Sequence, residues 1–260
     1  MSATPQTNQS AATAPVPLRT VLRQFPRTVW LIYIGTFINR FGTFVLPFLG
    51  LHMTREGYSA GEVGMAMASY GLGHVLATVL GGFLADRVGR KETIVLSMYS
   101  GAVAMLALSQ ASSLFGFIVL AGLAGLTSEL YRPGSTALLS DLVPDSQRVM
   151  AFGVYRFFIN AGWAIGPATA GFLSEYSYQW LFYGDAATTA IYGTIALLGL
   201  PRGQGPTRAD KPESPLESLV AGFRVALSDP RFVRLIVSSA LIGWVFMQLL
   251  TTFKIGRAHV

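Results

Sequence analysis

Six ionisable side chains interrupt long apolar runs of this chain: Arg40, His74, Glu129, Arg132, Arg156 and Asp185. A charge in hydrocarbon costs a few kcal/mol or more, so such groups are candidates for handling ions or protons. Glu129 and Arg132 lie three apart, share a helix face and can pair. Desolvation favours the protonated form of a carboxyl, and a neighbouring arginine favours the charged form. A change of exposure could therefore switch Glu129, which makes it a candidate proton carrier. A structural Glu129–Arg132 or Glu129–Arg156 ion pair is the alternative, and both readings stand. Arg40, beside Asn39 and Gly42, suits a cavity wall and is a candidate for substrate or proton-network contact. Arg132 and Arg156, near one end of their runs, suit structural gating better than substrate contact. Asp185 reads as a helix-packing partner. His74, on a Gly-rich run, reads as a packed, hydrogen-bonded histidine.

These groups must be positioned by the apolar runs themselves. The chain of 260 residues is 52% hydrophobic and 12% charged, about half the charge of an ordinary soluble domain. Runs near the bilayer-spanning length of about 20 residues fall at 28–51, 63–84, 93–108, 114–139 (broken near Pro133), 151–173, 180–200 and 232–253. The net charge of +6 sits in short loops, which points to membrane topology and away from nucleic acid. Arg19, Arg23, Arg27, Arg87, Arg90, Lys91, Arg148 and the bases from Arg202 to Arg234 fall on one side; Arg55 falls on the other. Positive residues stay inside, so the N-terminus is expected to be cytoplasmic.

Several chemistries have no support in the sequence. There is no cysteine, hence no disulfide or Cys-based metal site. His52, His74 and His259 make no ligand-spaced pair. No phosphate-binding loop or nucleophile elbow is present. No enzyme activity, metal or cofactor is expected. Residues 1–27 read as a disordered cytoplasmic tail and 201–231 as a polar cytoplasmic linker. Apolar character stops abruptly in TTFKIGRAHV, whose last codons can spell a common sequencing-adapter string. Residues 254–260 are therefore expected to be a non-native tail, and a genuine polar tail is the alternative.

Two motifs carry a resemblance. Between the second and third runs stands Gly82-x-Leu84-Ala85-Asp86-Arg87-x-Gly89-Arg90-Lys91. Gly81 and Gly82 suit close helix approach, Gly89 suits a tight turn, and the bases hold the turn inside. The stretch resembles the loop 2–3 signature of the major facilitator superfamily. In the fifth run, Gly162, Gly166, Pro167 and Gly171 resemble that family's antiporter signature, with Ala170 replacing the first of its two final glycines.

The resemblance covers roughly residues 20–253 and implies an all-α integral membrane protein. Residues 28–200 would form an N-terminal six-helix bundle, a 3+3 inverted repeat of the major facilitator fold. Residues 232–253 would be a seventh helix, the first of a C-terminal domain. Residues 28–108 and 114–200 show no strong sequence repeat. By resemblance, Asp86 is the key charge of a gate, with Arg87, Arg90 and Lys91 its network partners. Helices one and four would line the cavity, two and five would face the missing C-terminal half, and three and six would face lipid. Arg132 does not match the family's usual helix-four arginine. The implied function is proton-coupled efflux of small amphiphilic organic molecules by alternating access, in a bacterial cytoplasmic (inner) membrane. The partners would be lipid, substrate and protons. A proton-coupled uptake permease for sugars, peptides or organic acids is one alternative. A non-transporting sensor or inactive fragment is another. Phe37, Phe41, Phe44, Tyr131 and Tyr155 suit helix packing better than an apolar ligand pocket.

Overall fold

The computed structural model describes residues 22–202, 224 and 227–255. Residues 1–21, most of the expected linker and residues 256–260 lie outside the described residues. The chain divides into two compact units, residues 1–206 and 207–260. In the first unit the helices are α1 (Arg27–Phe41), α2 (Val45–Arg55), α3 (Ala60–Arg87), α4 (Arg90–Leu108), α5 (Leu114–Glu129), α6 (Tyr131–Leu142), α7 (Arg148–Tyr176) and α8 (Tyr178–Gly199). The second unit contributes α9 (Pro230–Ile255). There Asp229 accepts the Arg231 N–H (2.8 Å) and Pro230 takes the first helical position, where a missing N–H costs nothing. Packing starts earlier than the expected tail allows: Leu22–Gln24 are helical and Phe25 is buried against the α1 and α7 side of the core.

Four segments are long and apolar enough to cross a membrane among the described residues: Ala60–Arg87, Arg90–Leu108, Leu114–Leu142 and Asp145–Tyr176. The first expected span is not one helix. It breaks at Gly42–Phe44, between α1 and α2. The fourth breaks at Leu130, between α5 and α6. Each break has a proline shortly after it, Pro47 and Pro133. Pro133 offers no N–H to the Glu129 carbonyl four residues back, and Pro47 none to that of Thr43, so each ladder opens there.

The packing reveals a symmetry that the sequence hides. Counting α1–α2 as the first span and α5–α6 as the fourth, the principal partners are two with four, one with five, three with six, three with four, and one with six. Exchanging one with four, two with five and three with six maps this set onto itself. That is the 3+3 repeat of an inverted-topology bundle. The breaks obey the same rule, since they fall in spans one and four.

Small residues make the close crossings. A Cβ on Gly73 would run into the Gly122 carbonyl, and one on Gly125 into the Tyr70 carbonyl, so α3 and α5 meet backbone to backbone. On the symmetry-related crossing, a Cβ on Gly162 would stand 2.7 Å from Arg40 Cβ, and one on Gly166 2.6 Å from the Phe41 carbonyl. Without water, van der Waals packing of this kind is what holds membrane helices together. Gly171 faces open space within 4 Å, so it takes no part in the crossing.

One comparison tests this directly. Gly166→Ala should destabilise the solubilised protein by about 1–3 kcal/mol, the usual cost of overpacking. Gly171→Ala, five residues along the same helix, should be neutral or slightly stabilising, because alanine is the better helix former. Thermal unfolding of both variants checks it; equal shifts would remove the α1–α7 crossing as described.

Candidate functional site

The two broken spans bring their free ends to one place. Arg40 lies in the last turn of α1 and Glu129 is the last residue of α5. Arg40 Nη2 lies 2.7 Å from Glu129 Oε1, with the side chains 7% and 4% exposed. Arg132 Nη1 stands 3.4 Å from Glu129 Oε2, and His74 Nε2 3.8 Å from the same oxygen. Those two side chains are 48% and 41% exposed. The Arg40 guanidinium also sits 5.6 Å from the centre of the Tyr131 ring, within cation–π range. One carboxylate thus faces a buried arginine on one side and two half-exposed bases on the other.

Each break is braced by a side chain from a neighbouring helix. At the α5–α6 break, the Ser97 hydroxyl of α4 donates to the Thr127 carbonyl (2.6 Å) and accepts the Tyr131 N–H (3.0 Å). Freed backbone groups in a membrane helix need such partners. At the α1–α2 break, Asp185 of α8 accepts the Val45 N–H at Oδ2 (3.5 Å) and the Thr189 hydroxyl at Oδ1 (3.4 Å). Asn39 Nδ2 donates to Thr189 Oγ1 (3.2 Å), tying α1 to α8. A carboxylate near the first N–H of α2 also suits the positive end of that helix. The braces come from spans three and six, which the same exchange relates.

Asn39, Arg40, Tyr70, Ser128, Glu129, Asp185 and Thr189 share one small pocket with Thr43, Gly101 and Met105. Its free volume is about 20 Å³, room for about one water molecule. It is too small for an organic substrate, so within this unit it can serve only small species or hold the helices. No metal-holding cluster of His, Cys, Asp or Glu exists among the described residues.

Several expected site residues stand apart. Arg156 is exposed and forms no ion pair among the described residues, so the Glu129–Arg156 option falls away; Arg40 takes the place that residue spacing alone left open. In the loop motif, Gly89 has φ +120°, a region glycine enters freely. Gly81 does lie close to another helix, its Cβ position 2.5 Å from the Leu130 carbonyl, but Gly82 meets nothing within 4 Å. Arg90 does not pair with Asp86. It pairs with Asp141 of α6 and donates to the Ala137 carbonyl (3.3 Å). Asp86 and Arg87 are exposed; Arg87 lies over the Phe83 ring at 4.8 Å, and Asp86 has no ion pair among the described residues. Lys91 is half-buried. Pro167 sits inside α7. Of the aromatic candidates, Phe44, Tyr131 and Tyr155 are buried in the core, and Phe37 stacks on Phe41 (6.3 Å).

Asp185 and His74, which by sequence suit helix packing, stand at the site: His74 beside Glu129 and Asp185 at the α1–α2 break. One signal could have raised Asp185: an acid in an apolar run with no base three or four residues away on its own helix. Such a group must find its partner on another helix.

Comparison with known proteins agrees with this architecture. The profile of the Major Facilitator Superfamily matches residues 32–257. The MFS-type transporter YqjV of Bacillus subtilis (strain 168) is 29% identical over 226 residues, 86% of this chain and 55% of that protein. Quinolone resistance protein NorA of Staphylococcus aureus is 25% identical over 179 residues, 68% of this chain and 46% of that protein. A crystal structure of peptide transporter POT in complex with sulfate superposes with TM-score 0.63 at 19% identity, over 88% of this chain and 50% of that one. At that identity the likeness concerns the fold alone. The chain spans about half the length of the curated relatives it matches. The match over residues 32–257, most of the chain, places it in the Major Facilitator Superfamily.

Proposed function

We propose that this chain is the N-terminal part of a proton-coupled secondary transporter that exports small amphiphilic organic molecules by alternating access. The observation that carries the reading is the Glu129 site. A buried carboxylate holds one buried arginine and two half-exposed bases, so a shift of neighbouring helices can change its partners without unfolding the bundle. A proton arriving at Glu129 would release Arg132 and His74 first, because their contacts are the longer ones. Arg40 would stay, held by its place on the α1–α7 crossing.

The direction of transport rests on the Gly162–Gly171 motif and on the likeness to the quinolone resistance protein. The missing C-terminal half would supply the other wall of the substrate cavity. The N-terminus lies in the cytoplasm, by the positive-inside rule, of a bacterial inner membrane. Asp86 acts in the gate between the halves: it is exposed at the cytoplasmic end of α3, while Arg90 is held on its own side by Asp141.

Two experiments in the complete transporter address these roles. Glu129→Gln should reduce substrate efflux driven by an imposed pH gradient to the rate seen without a gradient, while gradient-free exchange persists. Vesicle flux assays measure both, and intact gradient-driven efflux would leave Glu129 purely structural. Asp86→Asn should slow transport with normal membrane insertion and unchanged substrate affinity. Wild-type flux in that variant would take Asp86 out of the gate.

A further inference from the structure

The outer face of the α4–α8 pair carries a groove separate from the Glu129 site, with Lys91 of the loop motif at one end. Val95, Leu96 and Tyr99 of α4 and Leu197 of α8 form its apolar walls. Lys91, Glu92 and Arg202 form its end. The two helices are pinned together beside it by the Tyr99 and Thr194 hydroxyls, 3.0 Å apart. The groove therefore belongs to a fixed helix pair and has a volume of about 420 Å³.

Its polarity changes from one end to the other. The apolar walls run along the span, as lipid chains do. The charged end lies at the first turn of α4 and just past the last turn of α8, at the same end of the bundle as Arg87 and Arg90. Arg202 reaches Glu92 only loosely, at 3.9 Å, and its side chain is largely exposed. Lys91 forms no ion pair among the described residues. Two cations against one carboxylate leave this end with a net charge of +1. The start of α4 also turns its free backbone N–H groups this way, which favours an anion, although Glu92 occupies part of that field.

We propose that this groove is a binding site for an anionic phospholipid, with one acyl chain along Val95, Leu96, Tyr99 and Leu197 and the phosphate between Lys91 and Arg202. Basic pockets between membrane helices on the cytoplasmic side recognise anionic head groups in this way. A zwitterionic lipid fills the same walls but brings its own cation to the charged end. A soluble phosphate meets the cations without the walls. The amphiphile that satisfies both ends is an anionic lipid.

The test is lipid retention on the purified protein, which does not require transport. The protein is presented with equal amounts of phosphatidylglycerol and phosphatidylcholine of matched chains, and bound lipid is counted by native mass spectrometry. Phosphatidylglycerol should be enriched about fivefold, the effect of one net charge near a membrane surface. The double variant Lys91→Gln, Arg202→Gln, which leaves Glu92 alone at this end, should bring the ratio to parity or below. Lys91→Arg should keep the enrichment, and so should Arg148→Gln, which removes an exposed charge elsewhere. Glycerophosphate, a head group without chains, should not displace the lipid. Equal retention in the wild type, enrichment that survives the double variant, or displacement by glycerophosphate would each overturn the site.

Discussion

The bundle is organised around one buried ion pair, Arg40 with Glu129 at 2.7 Å. Burying two charges costs several kcal/mol per ion, and their attraction offsets that only when the geometry holds them together. Here the geometry comes from packing. Gly162 and Gly166 let α7 rest on the backbone that carries Arg40. Gly73, Gly122 and Gly125 let α3 rest on the helix that ends in Glu129. The small residues of two separate crossings thus serve the same contact, one from each side.

The pair lies where two spans lose helical hydrogen bonds. Pro47 and Pro133 open the first and fourth spans, and α1 and α5 end beside each other. Each opening frees backbone groups that hydrocarbon cannot satisfy. Ser97 and Asp185 take them up from the third and sixth spans. Those two helices therefore have two faces with different work: one braces the breaks, and the other, with Leu96, Val103 and Leu197 exposed, meets the surroundings. Exposed apolar side chains in such number would drive a soluble protein to associate; on a membrane helix such a surface suits lipid.

The exchange symmetry ties these features together. Crossings, breaks and braces all map onto one another when the first three spans are swapped with the last three. The side chains that do the work differ between the halves: a hydroxyl braces one break and a carboxylate the other. The backbone arrangement repeats while the chemistry diverges, which explains why residues 28–108 and 114–200 look unrelated in sequence.

The sequence by itself determined the class of protein, the number and approximate limits of its apolar runs, the break near Pro133 and the loop motif at 82–91. These follow from composition, length and local chemistry, which act along the chain. It also marked Arg40, Glu129 and Arg132 as ionisable groups that could not sit in hydrocarbon without a partner. It did not determine which partner. Arg132 was legible because three residues along a helix share a face. Arg40 lies 89 positions from Glu129, and no spacing rule connects them. Arg156 was an equal candidate by sequence, but it is exposed and forms no ion pair among the described residues. The break at Gly42–Phe44 was hidden as well, because the run from 28 to 51 stays apolar through it, and so was the work of Asp185. Only the tertiary structure decided these points, since pairing between helices depends on their rotation and crossing. Small residues such as Gly162 and Gly166 mark in sequence where a close crossing can form, but not which helix fills it.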